Sequence, residues 1–268
     1  MIFSTDLDRT LIFSKRRFDP KKVQTVPVEQ REGVDCSFMT PRAYYYFQEI
    51  MRRTVLVANT MRGIEQAKRI RFVQEGRCDY VVTQNGLYIY RDDRPDKLYG
   101  EIVAALAAQT QFGFDEAIDQ ILHEVGGILC MSKRYEYMAV FFTDGERFDR
   151  RAYQQLRMYY HDCGWELYEQ GKKLYLSPLA VDKSRALLYI REREQADSVT
   201  SFGDSYFDIP MLKASDIRYS LAGCELQEIH PDFEIHYSDS PGILGSQEVM
   251  EHFLNHHLQY KTEKENRR

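Results

Sequence analysis

Near the start of the chain, the segment IFSTDLDRTLIFS places Asp6 and Asp8 two residues apart at the end of an apolar run, with the hydroxyl of Thr10 two residues further on. Two acids at that spacing on an extended segment can flank a single phosphate. One carboxylate attacks phosphorus and forms an aspartyl-phosphate. The other protonates the leaving group and then takes a proton from the attacking water. Taken alone, the pair reads equally well as turn or cap chemistry. Three more stretches add matching groups: Asn59 and Thr60 close TVLVANT, Lys183 sits in VDKSRAL, and FGDSYFD carries Asp204, Ser205 and Asp208.

The elements that hold these residues follow from hydrophobic pattern. MIFST, TVLVAN and YVVTQNG are short apolar runs of the buried-strand type. PRAYYYFQEIMRR has proline at its first helical position, and GIEQAKRIRFVQEG has helical spacing closed by glycine, so each predicts a helix. Strands alternating with helices predict an α/β fold, a doubly wound parallel sheet. The rhythm breaks after residue 86. LYIYRD, the helical FDEAIDQILHEVG, the strand pair GILCMS and YMAVFFTD, a helix RRAYQQLRMYYHDCG and two short strands read as an antiparallel α+β module. After it, DKSRALLYIRERE is a helix with Asp182 as N-cap, DSVTSFGD and DIRYSLAG are strands, FDIPMLKAS is a short helix, and GSQEVMEHFLNHHLQ is a closing helix. The expected domains are therefore a core over residues 1–86 and 177–268 and an inserted α/β cap over 87–176.

In an open parallel sheet, ligands bind beyond the carboxyl ends of the strands. That rule gathers Asp6, Asp8, Thr60, Lys183, Asp204 and Asp208. Four carboxylates together repel one another unless a cation neutralises them, and an all-oxygen donor set selects Mg²⁺ over zinc. One ammonium and one hydroxyl beside that cation suit a phosphate. A long connection, Val23 to Thr40, alternates in polarity around a turn-like REG, which predicts a hairpin flap over those strand ends.

These stretches resemble the motifs of the haloacid dehalogenase-like (HAD) phosphohydrolases. DLDRT is similar to the D-x-D-x-T motif, and LVANTMRG to the second motif, including the T-G-R of the branch with an α/β cap, which matches Thr60 and Arg62. VDKSRAL is similar to the Lys motif and FGDSYFDIPML to G-D-x-x-x-D. VVTQNGLYIY resembles the strand and N-G turn leading into the cap in the Cof-like and sucrose-phosphatase-like branch. The resemblance implies that Asp6 is nucleophile and metal ligand. Asp8 would be the acid/base, giving its backbone carbonyl to Mg²⁺, and Thr60, Lys183 and Arg62 would bind phosphate. Asp204 and Asp208 would serve the metal, Asp208 directly or through water. The chain departs from the pattern at Arg9, where glycine is common, at Met61, which replaces the glycine of T-G-R, and at Phe207, where asparagine is common. None removes a catalytic atom; they bear on subfamily and substrate.

Composition sets the outer bounds. The chain has 268 residues and a formal net charge of −5, which argues against a general nucleic-acid binder. No apolar run approaches the roughly 20 residues of a membrane span, and MIFSTD lacks the basic flank and long apolar stretch of a signal peptide. The five cysteines form no C-x-x-C pair, as expected of free thiols in the cytoplasm. KTEKENRR reads as a solvated tail, and His256 and His257, without partners at metal spacing, as a solvated helix face. In the cap, Arg134, Tyr135 and Lys172, with Glu136 and Lys173, lie near turns and are candidates for reading the substrate, although surface charge explains them equally.

The function expected is a cytoplasmic, Mg²⁺-dependent phosphatase acting on a small phosphorylated metabolite, with a phosphosugar as the leading substrate class. Two alternatives stand beside it: a phosphotransferase or phosphomutase with the same nucleophile, and a non-catalytic protein that binds phosphometabolites. No nucleic-acid or membrane partner is expected, and oligomeric state is left open.

Overall fold

Ile2–Thr5 (β1) is buried throughout, as a central strand covered on both faces must be. The computed structural model describes residues 1–258; the charged tail at 261–268 lies outside them. After β1 come Phe13–Ser14 (β2), Val26–Arg31 (β3) and Val34–Met39 (β4), which form a separate antiparallel sheet in the order β2-β4-β3. This is the flap hairpin. It reverses at Glu32 and Gly33, both left-handed, with φ of 53° and 77°, the geometry of a tight hairpin turn.

Pro41–Arg53 (α1) starts where Thr40 accepts a hydrogen bond from Ala43 N at 3.0 Å, and proline at the first position lacks only an N–H that would be unpaired there. Val55–Asn59 (β5) follows. The single helix expected over GIEQAKRIRFVQEG is instead two short ones, Ile64–Ala67 (α2) and Arg71–Gln74 (α3). Ile70 between them is extended and pairs with Glu29 of the flap, so a tertiary contact overrides helical spacing. Tyr80–Thr83 (β6) then leads through a 3₁₀ turn at Gln84–Gly86 into Tyr88–Arg91 (β7) and Arg94–Pro95 (β8).

Lys97–Val181 forms a compact unit of its own. It comprises Lys97–Ala107 (α4), Phe114–Glu124 (α5), Ile128–Arg134 (β9), Ala139–Thr143 (β10), Arg150–Asp162 (α6), Trp165–Gln170 (β11) and Lys173–Pro178 (β12). Its antiparallel sheet runs β11-β12-β10-β9 over a core including Phe141, Tyr160, Trp165 and Leu176. The buried Trp165 and Tyr160 donate to Phe112 O and Ala117 O at 3.2 and 2.6 Å, so their polar ends are paired.

The first unit resumes with Lys183–Arg193 (α7), Val199–Phe202 (β13), Ile209–Lys213 (α8), Ile217–Ala222 (β14), Glu225–Ile229 (α9), His236–Pro241 (β15) and Gly242–Phe253 (α10). Its eight-stranded sheet runs β15-β14-β13-β1-β5-β6-β7-β8. The strands from β15 to β6 are parallel, and β7 and β8 are antiparallel. The division falls at Lys97 and Asp182 rather than at 87 and 177. LYIYRD, expected in the insert, pairs with β6 and belongs to the core sheet. The strand β15 and helices α4 and α9 had no counterpart in the sequence expectations.

Candidate active site

The three strands at the middle of the sheet, β13, β1 and β5, run parallel, so their carboxyl ends open on one side. Asp6 follows β1 there, and its N–H donates to Phe202 O at the end of β13. Asp182 caps α7 by accepting from Ser184 N and Arg185 N at 2.8 and 3.0 Å. That cap puts Lys183 at the first helical position. Asn59 Nδ2 at the end of β5 donates to Lys183 O at 3.0 Å, and Gly86, with φ of +93°, lets the 84–86 turn press against the same segment. A Cβ at Gly86 would lie 2.0 Å from Asp182 O.

Lys183 Nζ, fully buried, donates to Asp6 Oδ1 at 2.7 Å and to Asp208 Oδ1 at 2.6 Å. The other oxygen of Asp208 accepts from Asp204 N, Ser205 N and Ser205 Oγ, each at 3.0 Å. Asp204 Oδ1 accepts from Thr10 Oγ1 at 2.7 Å. Carboxylate oxygens of Asp6, Asp204 and Asp208 lie within 4.8 Å of one another, and all three residues are buried.

The electrostatics are unbalanced. Burial raises Asp6 to about 6, against the attraction of Lys183 and with the repulsion of Asp208. Burial also raises Asp204 to about 8, helped by Asp208 and Asp6. Lys183 is desolvated too, yet Asp208 and Asp6 hold it firmly protonated. One ammonium thus faces three carboxylates, all donors are oxygens, and the set fits a hard divalent cation such as Mg²⁺.

Asp8 sits apart from that cluster, with a side chain 52% exposed. Arg62 grips it from Nε to Oδ2 at 2.6 Å and from Nη2 to Oδ1 at 2.7 Å. Desolvation works upward on Asp8, but the hydrogen bonds and charge of Arg62 outweigh it and hold the carboxyl below its ordinary range. The remaining Arg62 protons go to Glu29 Oε1 at 2.7 Å, Glu29 Oε2 at 3.0 Å and Gln66 O at 3.2 Å. A guanidinium has five N–H donors, and all five are engaged here. In this arrangement Arg62 holds Asp8 and Glu29, with each of its N–H donors engaged. Thr60 is buried at the end of β5, its Oγ1 accepting from Arg62 N at 3.2 Å. Arg9, next to Asp8, has φ of +68°. Glycine takes that conformation freely and arginine does not.

One residue of this site, Glu29, and one pairing escape sequence reasoning. Thr10 belongs to the motif, but its bond to Asp204, 194 positions away, is not legible there. Glu29 gave no signal, because its inward orientation comes from an irregularity in strand register between Pro27 and Gln30. The residues expected to read substrate lie in the Lys97–Val181 unit. Arg134 pairs with Asp115, Tyr135 N donates to Met138 O at 2.8 Å, and Lys172 O accepts from Thr143 N at 3.0 Å; Lys172 is exposed.

No protein-family model matches the chain, and no curated protein matches it in sequence. Solved structures do match in three dimensions. The sucrose-phosphatase of Synechocystis sp. PCC6803, solved in complex with sucrose and phosphate, superposes with a TM-score of 0.65 over 94% of this chain and 97% of that one, at 15% identity. A haloacid dehalogenase-like hydrolase from B. subtilis gives a TM-score of 0.60 over 94% and 99%, at 15% identity. The fold is that of the haloacid dehalogenase-like hydrolases. The HAD subclass IIB sugar phosphatase BT4131 shares it, with a TM-score of 0.60 over 94% and 98% at 13% identity. The HAD resemblance read from the motifs is thus met by the fold. Among the described residues no helix is long and apolar enough to cross a membrane.

Proposed function

We propose that the chain is a cytoplasmic, Mg²⁺-dependent phosphatase that hydrolyses a small phosphorylated metabolite through an aspartyl-phosphate on Asp6. The observation that carries this reading is the buried group of Asp6, Asp204 and Asp208, with the buried ammonium of Lys183 paired to Asp6 and Asp208. Folding three acids around one cation leaves a deficit of positive charge. A site that receives Mg²⁺ and a phosphoryl group makes use of that arrangement. The carboxylates of Asp6, Asp204 and Asp208 and the backbone carbonyl of Asp8 would hold the ion, which supplies positive charge to the phosphoryl oxygens when bound.

The protein's own groups divide the chemistry. An Asp6 oxygen attacks phosphorus while the bond to the leaving oxygen breaks, and Asp8, in its protonated form, gives that oxygen a proton. Water then attacks the aspartyl-phosphate, Asp8 takes its proton, and Asp6 and phosphate are released. Lys183 and Thr60 hold the phosphoryl oxygens. Solved HAD-fold relatives that are a sucrose-phosphatase and a sugar phosphatase support a phosphosugar-like substrate. In this reading Lys97–Val181 supplies specificity, with Arg134, Tyr135 and Lys172 as the side chains to vary.

The test is hydrolysis of p-nitrophenyl phosphate with Mg²⁺, with chelator, and by Asp6→Asn. The reading requires turnover that depends on the metal and is lost in Asp6→Asn. Turnover that persists in Asp6→Asn overturns it.

A further inference from the structure

Two arginines flank Asp8, and they differ in what they hold. Arg62 has every N–H donor taken by protein partners. Arg9, the next residue after Asp8, is exposed, and its guanidinium has no hydrogen-bond or ion-pair partner among the described residues. Only its backbone is held, by an N–H donated to Ile12 O at 2.9 Å. Its position is set from both sides. Asp8 before it is gripped by Arg62, and Thr10 after it donates to Asp204 at 2.7 Å. Arg9 therefore stands at the rim of the acid cluster. Behind burial and their nearer partners, its charge draws both Asp8 and Asp204 toward the carboxylate form.

The backbone opposes an arginine at this place. With φ of +68°, a side chain crowds its own peptide group, whereas glycine takes the conformation freely. An exposed cation screened by water adds little to folding. The fold alone therefore gives no reason for a guanidinium here.

We infer that Arg9 binds a second anionic group of the substrate, a carboxylate or phosphate carried by the leaving portion, so that the substrates are small phosphorylated metabolites with two anionic ends. This rests on the phosphatase reading, in which Lys183 and Thr60 hold the phosphoryl group that is transferred. A guanidinium presents paired N–H donors that match a carboxylate or a phosphate. The acids around it, Asp8 and Asp204, repel a second anion, so a cation at the rim decides whether such a substrate is admitted. An ester with a neutral leaving portion leaves Arg9 unused.

The experiment measures kcat/KM on p-nitrophenyl phosphate, glucose 6-phosphate, 6-phosphogluconate and glucose 1,6-bisphosphate for wild type, Arg9→Gln, Arg9→Lys and Arg9→Gly. The two hexose monoesters share the scissile ester and differ by a carboxylate; the bisphosphate offers a phosphate as the second group. Wild type should favour at least one of the two doubly anionic esters over glucose 6-phosphate by about tenfold or more, and the favoured one identifies the group. Because the preference is a ratio within one variant, any effect of Arg9 common to all esters cancels. Arg9→Gln should erase the preference, and Arg9→Lys, which keeps the charge without the fork, should keep part of it. Arg9→Gly should erase it too, yet melt above Arg9→Gln because the left-handed backbone is relieved. A wild type that hydrolyses p-nitrophenyl phosphate but favours neither anionic ester overturns the inference and leaves the phosphatase reading intact. So does a preference that survives whole in Arg9→Gln, or an Arg9→Gly that melts no higher than Arg9→Gln. A wild type that hydrolyses none of the four esters overturns both.

Discussion

Lys183 Nζ and Asp6 Oδ1 are 2.7 Å apart in a site where Lys183 is 1% exposed and Asp6 6%. The same ammonium holds Asp208. The attacking group of the proposed reaction is thus tied to a buried positive charge. Replacing Lys183 by Met leaves Asp6 and Asp208 without the ammonium that pairs with both. Removing one partner of a buried ion pair costs about 3–5 kcal/mol, so Lys183→Met should lose phosphatase activity and melt well below wild type, with part of the loss recovered on adding Mg²⁺. Calorimetry with and without the metal checks this, and an unchanged melting temperature would contradict it.

The raised carboxyls set how stability follows pH. Asp6 at about 6 and Asp204 at about 8 both stand above the ordinary 3.8. The folded state binds these protons more tightly than the unfolded chain. Their contribution is complete below pH about 4 and is lost as pH rises through about 6 and about 8. Metal-free protein should therefore lose stability from this site across that window. Mg²⁺ binds the deprotonated carboxylates, so the gain in melting temperature from Mg²⁺ over chelator should grow with pH. A gain that is flat or shrinks with pH contradicts the assignment. Asp8 and Glu29, held low chiefly through Arg62, act with the opposite sign and are lost only as pH falls below the ordinary carboxylate range.

Gly203 is a question of space. A Cβ there would lie 2.4 Å from Asp208 Cβ and 2.6 Å from its carboxyl carbon. Gly203→Ala must push Asp208 away from Asp204 N, Ser205 N and Lys183. Overpacking of this kind costs about 1–3 kcal/mol. The variant should also bind Mg²⁺ more weakly than wild type, as titration calorimetry would register. Unaltered metal affinity would mean that Asp208 has no part in holding the ion.

Arg134 and Asp115 form an exposed pair, with side chains 48% and 74% accessible. Exposed ion pairs contribute about 0–1 kcal/mol, so Arg134→Ala should barely change stability. If Arg134 reads the substrate, KM for the preferred phosphosugar should rise while p-nitrophenyl phosphate is unaffected. Equal kinetics on both would return Arg134 to plain surface charge.

Local features are legible from the residues alone. Asp6 and Asp8 follow a fully apolar strand, Lys183 follows an N-cap aspartate, and Gly203-Asp204 ends another apolar run; each is written within a few neighbouring residues, and strand type and capping are local physics. That was enough to expect the parallel sheet, the insertion and the gathering of acids at one edge. Which partner each charge takes depends on contacts between segments distant in the chain. A motif gives Arg62 as a residue type, not the partners its donors take; Glu29, 33 positions away, takes two of them. The same register irregularity that turns Glu29 inward breaks the alternation from which its outward orientation would have been read. LYIYRD went to the wrong domain, and GIEQAKRIRFVQEG split into two helices, for a similar reason. A strand's partner, and an extended residue such as Ile70 inside a helical pattern, are settled by contacts between segments distant in sequence.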